Sequence, residues 1–501
     1  MVSQIIRKTP DRLTQRQFVA FILNFLAVFF VYNAMLQPHF SPDTFAAYKE
    51  QPVQVFIQIS SGRIVHGLLF HLLYLCGLGV LSHLSAYTVL FMLVSSWCTM
   101  RISSVLCNRT PKNNDGAYFV CNFIVLISII NICVFEWYLF TEAMLMYSLA
   151  LLGATESALI FARDLPLRRR MIISFVWLFV AMNSYQALLG WYVALSLTAI
   201  LTTTDFRLNK RAFGLGVAAL LIGGINSILN QGIVKLAQIS GVIEGTERQM
   251  VVNNLFNKID VIYENQRGFL RNGYYLMPAY FLYAAIFLGI LMLFLALHKK
   301  KLVSFFSIGV ALGMGYLLTL IPHLMSPNIL ITPRTLSPVF LIIALMLALA
   351  FVCGGKNVRL LCVSCAAYVL LVNASTVSSA ITDHRATILA DLEEGRAIIQ
   401  EIQDCEKTND AKIDEICVLH DAAPHFSFPG VKASFIDINT RQMTVDWERE
   451  PFLETLSGRD FTFIDLSEQE AEAIVQGRNW NYADYGEQIS FDGNRAYVIL
   501  Y

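Results

Sequence analysis

The chain has 501 residues, with 37 Lys and Arg balancing 37 Asp and Glu, 56% hydrophobic residues and only 15% charged ones. With a mean hydropathy of +0.55, this composition excludes an ordinary soluble multidomain enzyme, and the lack of a basic excess excludes nucleic acid as a partner. The lipid bilayer is the predicted main solvent and partner.

Met1 to Arg16 is polar and basic, and the apolar run from Gln17 to Leu36 is too long for the core of a cleavable signal peptide. It is expected to be a retained first span. Basic residues then collect at Arg109 and Lys112, at Arg163 with Arg168 to Arg170, at Arg207, Lys210 and Arg211, at Lys299 to Lys301, and at Lys356 and Arg359. Placing all of these with the N terminus in the cytoplasm requires an even number of crossings between neighbouring clusters. Three apolar candidates (17–36, 64–81 and 84–106) precede Arg109, so one of them must not cross. Segment 64–81 carries His66, His71 and several Gly and is barely long enough, so it is expected to be an interfacial or re-entrant helix on the outer face.

The remaining predicted spans are 117–135, 137–161, 171–184, 186–204, 212–233, 277–297, 302–321, 337–354 and 360–380, giving about eleven crossings. The fold class is therefore an all-α polytopic membrane bundle over residues 1–380. Loops 37–63, 234–276 and 322–336 share the outer side with the tail, 381–501. That tail is expected to be a small soluble α/β domain, with helices at Thr387 to Gln403 and near Glu468 to Gln476 and strands at Glu415 to Leu419 and Ala496 to Leu500. Cys405 and Cys417 are either a disulfide or two reduced thiols. Trp447, Trp480 and Tyr482 are assigned to core packing.

Candidate chemistry lies in the outer loops. Loop 37–63 carries Asp43, Glu50 and Arg63. A carboxylate at a bilayer surface can act as general base for an alcohol, and a guanidinium can clamp a phosphate, a pair that suits transfer from a lipid phosphate. The competing reading of Asp43 is a turn or helix cap after Pro42. Glu136 and Glu142 are ionisable residues between or within apolar runs, which favours a polar cavity or an ion pair for Glu142, whereas Glu136 reads equally well as an interfacial loop residue. Tyr185 and Gln186 occupy an outer turn, and Arg334 opens a late span as a phosphate ligand or a snorkelling anchor. In loop 234–276, Lys235, Lys258, Arg267 and Arg271 line an amphipathic pattern that could attract a lipid phosphate or dock on headgroups.

Across most of residues 1 to 380 this order resembles the O-antigen serotype-converting (GtrII-like) glucosyltransferases of Gram-negative bacteria and their phages, multispanning enzymes of the GT-C class. The matching elements are Asp43 in the first outer loop, Gly62-Arg63, Ser184-Tyr185-Gln186-Ala187, Pro333-Arg334 and a soluble C-terminal region. The resemblance implies an inner-membrane enzyme that moves a sugar, usually glucose, from undecaprenyl phosphate to O-antigen or a lipid-linked oligosaccharide at the periplasmic face. It implies Asp43 as base and Arg63 and Arg334 as candidate ligands of the donor phosphate, to which the basic pattern of loop 234–276 adds Arg267 and Arg271 as candidates. Glu50, His66, Glu136, Glu142, Tyr185 and Gln186 are candidates for substrate binding. The family often has two adjacent acids in this loop, whereas Pro42 and Thr44 flank Asp43 here, so a divalent cation (Mg or Mn) is left open, with Glu50 or Glu136 as substitute ligands. The alternatives are an O-antigen polymerase, which would show paired outer-loop arginines and a smaller tail, and a lipid-linked sugar flippase or transporter, which would show inverted repeats.

Overall fold

The computed structural model describes residues 14–49, 51–107, 115–204, 206–243, 255–298, 302–325, 329, 331–420, 436–476 and 485–500. The chain divides into two compact units. One comprises Met1–Gln37, Val53–Tyr138 and Ala143–Ser378; the other comprises Pro38–Pro52, Leu139–Glu142 and Ser379–Tyr501.

The first unit is helical. Eight helices among the described residues are long and apolar enough to cross a membrane, or nine if the bent pair Asp115–Ser128 and Ile132–Leu139 counts as one span. The 60° bend between those two helices has an identifiable cause. Asn131 interrupts the run, its Oδ1 accepting the Val134 N–H at 3.0 Å as an N-cap, while the Tyr32 hydroxyl donates to the Ile129 carbonyl at 3.0 Å. Backbone groups released by the break are thus satisfied inside the apolar unit, as a non-aqueous environment demands. Two other predicted spans form short helices, Leu167–Met182 with 16 residues and Phe281–Leu297 with 17. At about 1.5 Å per residue these fall short of a ~30 Å hydrocarbon core. The segment predicted not to cross forms the helix Ile64–Leu75, only 12 residues long.

Close helix packing depends on small residues. A Cβ at Gly190, on Leu189–Thr203, would meet the Gly315 carbonyl of Leu302–Met325 at 2.6 Å; one at Gly315 would meet Ala194 Cα at 2.8 Å. Gly190 and Ala194 therefore oppose Gly315 and Thr319 in a small-xxx-small pairing, which lets two backbones approach where water supplies no driving force. Arg101 and Glu156, also in this unit, form a two-point ion pair at 2.7 and 3.0 Å. Pairing is what makes such charges tolerable in apolar surroundings.

The second unit contains the mixed sheet. Its strands are β1 (Glu415–His420), β2 (Thr462–Phe463), β3 (Ile489–Asp492) and β4 (Arg495–Leu500), in the order β2-β1-β4-β3. β1 is parallel to β2 and β4, and β3 is antiparallel to β4. The predicted span 360–380 and the predicted tail helix Thr387 to Gln403 prove to be parts of one 54-residue helix, Lys356–Asn409. No Pro interrupts that stretch, so nothing in the backbone chemistry ends the helix where the composition changes. Its later turns supply Ile398 and Ile402 to a core shared with Ile416, Val418, Phe452 and Val498. Phe45 joins the same core, its ring edge-on to Phe452 at 5.1 Å. Cys405 and Cys417 are free thiols.

Gly315→Val is expected to force the two backbones apart and to lower the thermal unfolding temperature in detergent, at a cost of about 1–3 kcal/mol. Unchanged melting would show that the small-residue contact is dispensable.

Candidate functional site

In the first unit, the turn Gly62-Arg63 is locked by two side-chain amides. Gly62 has φ +77°, and a Cβ there would lie 2.8 Å from Asn230 Oδ1, so only Gly fits. The Gly62 carbonyl accepts from Gln186 Nε2 at 2.8 Å and from Asn230 Nδ2 at 2.6 Å, while Asn230 also donates to Asn183 Oδ1 at 3.0 Å. Gln186 therefore places the backbone that carries Arg63. The Arg63 side chain, half-buried, donates to Gln58 Oε1 at 3.2 Å and lies over the Tyr185 ring at 5.9 Å.

Arg334 sits in the short 3-10 turn Pro333–Leu336. Its guanidinium donates to Glu136 Oε1 at 2.6 Å, its backbone N–H bonds Glu136 Oε2, and its carbonyl accepts from the Trp137 indole at 3.0 Å. Glu136, only 2% exposed, is thus the buried partner of Arg334 rather than a loop residue in water. Tyr147 stacks on Trp137 at 5.3 Å and meets Tyr185 edge-on at 5.2 Å. Arg63 lies against the Tyr185 ring, and the Arg334 carbonyl accepts from the Trp137 indole, whose ring meets Tyr185 edge-on at 6.3 Å. Two arginines thus meet one aromatic wall formed by Trp137, Tyr147 and Tyr185.

Other predicted residues stand outside this group. Arg267 and Arg271 lie exposed on the helix Leu255–Asn272, where Arg267 pairs with Glu264 at 3.6 Å. His66 is buried against Phe70 at 5.8 Å, and neither ring nitrogen has a hydrogen-bond partner among the described residues. Glu50 lies outside the described residues.

The second unit holds Asp43. Ser41 and Thr44 build its turn: the Ser41 N–H donates to Thr44 Oγ1 at 2.8 Å, and the Asp43 N–H donates to Ser41 Oγ at 3.1 Å. Glu142 binds both hydroxyls, at 2.8 Å from Ser41 and 3.1 Å from Thr44. These partners are hydroxyls where the sequence favoured a cavity or an ion pair, and the pair of bonds rigidifies the turn. Asp43 itself is exposed and precedes the helix Thr44–Lys49. The cap of that helix comes from far along the chain. Glu448 accepts the N–H groups of Phe45 and Ala46, each at 2.9 Å.

Trp447 departs from the sequence reading. Expected in the core, it is 60% exposed, and its indole N–H donates to the Pro42 carbonyl at 2.8 Å and to Asp43 Oδ1 at 3.2 Å. Trp480 and Tyr482 lie outside the described residues. Lys49 extends the attachment, bonding Glu450 at 2.6 Å and Glu454 at 2.7 Å. No sequence signal marks Glu448 or Trp447, because the partners they hold are some 400 residues away; Glu448 is 403 positions from Phe45. Among the described residues, no group of three or more His, Cys, Asp or Glu has the geometry to hold a metal ion.

Burial pushes the Glu448 carboxyl up to about 8, with Asp43 and Glu142 adding to the rise and the Phe45 and Ala46 N–H groups opposing it. A carboxyl raised from its ordinary 4.5 binds more protons folded than unfolded, so its contribution to stability is present below that value and is lost as pH climbs toward 8. The steepest slope is about 1.4 kcal/mol per pH unit. Melting of the full-length protein is expected to fall between pH 5 and pH 8, and Glu448→Gln to flatten that fall while lowering stability at pH 5. Parallel pH profiles for the two proteins would sink this assignment.

No curated protein and no solved structure matches the chain. A family model described as glucosyl transferase GtrII matches residues 32–353, a stretch that includes Asp43, Arg63, Glu136, Glu142, Tyr185, Gln186 and Arg334. The match covers more than half of the chain and agrees with its apolar helices, its paired internal charges and the resemblance of its loop motifs. The chain belongs to the glucosyl transferase GtrII family and is a membrane glycosyltransferase of the kind that modifies O-antigen.

Proposed function

We propose that this glycosyltransferase takes glucose from undecaprenyl phosphate and transfers it to O-antigen at the periplasmic face of the inner membrane, with its N terminus cytoplasmic and its C-terminal unit periplasmic. The carrying observation is geometric: Arg63 lies over the Tyr185 ring at 5.9 Å, Arg334 is tied to Trp137 and Glu136, and Trp137, Tyr147 and Tyr185 form one aromatic wall, which supports an anion site in an otherwise apolar unit. The alternation of basic loops supports the orientation.

In this reading the two guanidiniums hold the donor phosphate. At about 4 Å and an effective dielectric near 20, each cation contributes roughly 4 kcal/mol toward a unit negative charge. The charge grows on the phosphate as the bond to the anomeric carbon breaks, so the attraction is stronger in the transition state than in the ground state. Glu136 offsets part of this attraction by pairing with Arg334 at 2.6 Å. Its second bond, to the Arg334 backbone N–H, holds the guanidinium in a fixed orientation for an incoming phosphate. The Trp137, Tyr147 and Tyr185 wall offers an apolar surface for the sugar or the first isoprene unit.

Asp43 is the base. Its carboxylate takes the proton of the acceptor hydroxyl as that oxygen attacks the anomeric carbon and polyprenyl phosphate leaves with the electron pair, inverting the centre. Glu142 and Glu448 fix the turn that presents it, and general-base removal costs about 10²- to 10⁴-fold.

The decisive measurement supplies undecaprenyl-phosphate glucose and O-antigen lipopolysaccharide to purified parent protein, Asp43→Asn and Arg63→Ala, and follows glucose incorporation by mass spectrometry. Parent transfer is expected, with a loss of at least about 100-fold in Asp43→Asn and a raised donor KM in Arg63→Ala. Undiminished transfer by folded Asp43→Asn removes Asp43 as base, and no transfer by the parent removes this donor and acceptor pair.

A further inference from the structure

The indole of Trp447 contradicts the usual economy of a folded domain: a large aromatic ring is left 60% exposed at a position where its polar edge is fully engaged. The N–H bonds to Pro42 and to Asp43 tie that edge down and fix the plane of the ring. What remains in water is the apolar face. It stands beside the carboxylate proposed as base and beyond the segment that the family match covers. An exposed indole face held rigid next to a carboxylate suits a pyranose ring, which lays its axial C–H groups on the aromatic surface while its hydroxyls reach neighbouring acceptors.

We propose that Trp447 is the stacking platform for the acceptor sugar of O-antigen, a specificity determinant supplied by the C-terminal unit. The inference rests on Asp43 acting in the reaction, because the sugar stacked on Trp447 is the one whose hydroxyl that carboxylate would deprotonate. A lipid headgroup is the other chemistry that an exposed Trp serves. One observation disfavours it: the indole N–H, which an interfacial Trp turns toward headgroups, is already bonded within the protein.

The bond to Asp43 gives Trp447 a second way to matter, so the ring and the N–H are tested apart. Phe retains a platform and loses the N–H donor; Ala loses both. The full-length protein in nanodiscs is titrated with delipidated O-antigen polysaccharide in the absence of donor, and binding is read by calorimetry. Trp447→Ala is expected to weaken binding roughly 10- to 100-fold, the loss that follows when most of an indole face is no longer covered. Trp447→Phe is expected to stay within about threefold of the parent and, in turnover, to lower kcat more than it raises acceptor KM. Should Trp447→Ala fail to fold, Trp447→Gln keeps a polar group and removes the platform, with the same loss expected. Asp43→Asn keeps an oxygen acceptor for the indole and is expected to bind the polysaccharide like the parent, so a failed base assignment in turnover leaves the platform standing. Parent-like glycan binding by folded Trp447→Ala or Trp447→Gln overturns the proposal. So does quenching by brominated lipid of the fluorescence that disappears in Trp447→Phe, which would put the ring in the bilayer.

Discussion

A charge buried among apolar side chains persists only with an opposite charge or a full set of hydrogen bonds, and the sites in both units of this protein obey that constraint. Glu136 gives one oxygen to the Arg334 guanidinium and the other to its backbone N–H. Glu156 takes Arg101 at two points and Arg163 at 3.3 Å. In the second unit Arg441 and Glu394, each 1% exposed, meet at 2.7 Å. Removing one member of such a pair leaves an uncompensated ion, so each pair also fixes the elements that carry it.

Within the first unit, that constraint and the need for close backbone packing reinforce one another. Gly190 and Gly315 draw two helices together, and the turn Asn183 to Gln186 stands just ahead of one of them. From that turn Gln186 reaches the Gly62 carbonyl and Tyr185 faces Arg63. The amides Asn183, Gln186 and Asn230 satisfy one another and the backbone of Gly62, so they set the shape of the turn that carries the Arg63 guanidinium.

Within the second unit the proposed base is held by borrowed parts. Phe45 enters the C-terminal core, Glu448 caps the helix behind Asp43 and Trp447 bonds its carboxylate. A six-residue helix such as Thr44–Lys49 is not stable by itself, so the shape of this loop depends on the tail. The tail thus has a structural reason to be present in a chain whose family match ends at residue 353.

By itself the sequence determined the class of solvent, the helical pattern of the first unit, the mixed tail and the motifs that lead to the family, because hydrophobic periodicity, length and charge placement are local properties. Arg63, Arg334 and Asp43 were legible as candidates because a charge at the edge of an apolar run is conspicuous. Their partners were not. Whether Glu136 faces water or Arg334, whether Gln186 meets substrate or the Gly62 carbonyl, and whether Trp447 packs inside or lies open all depend on segments up to 405 residues apart. Only the tertiary structure decided these, since a side chain's partner is set by which distant backbone packing brings within about 3 Å, and no local pattern encodes that distance.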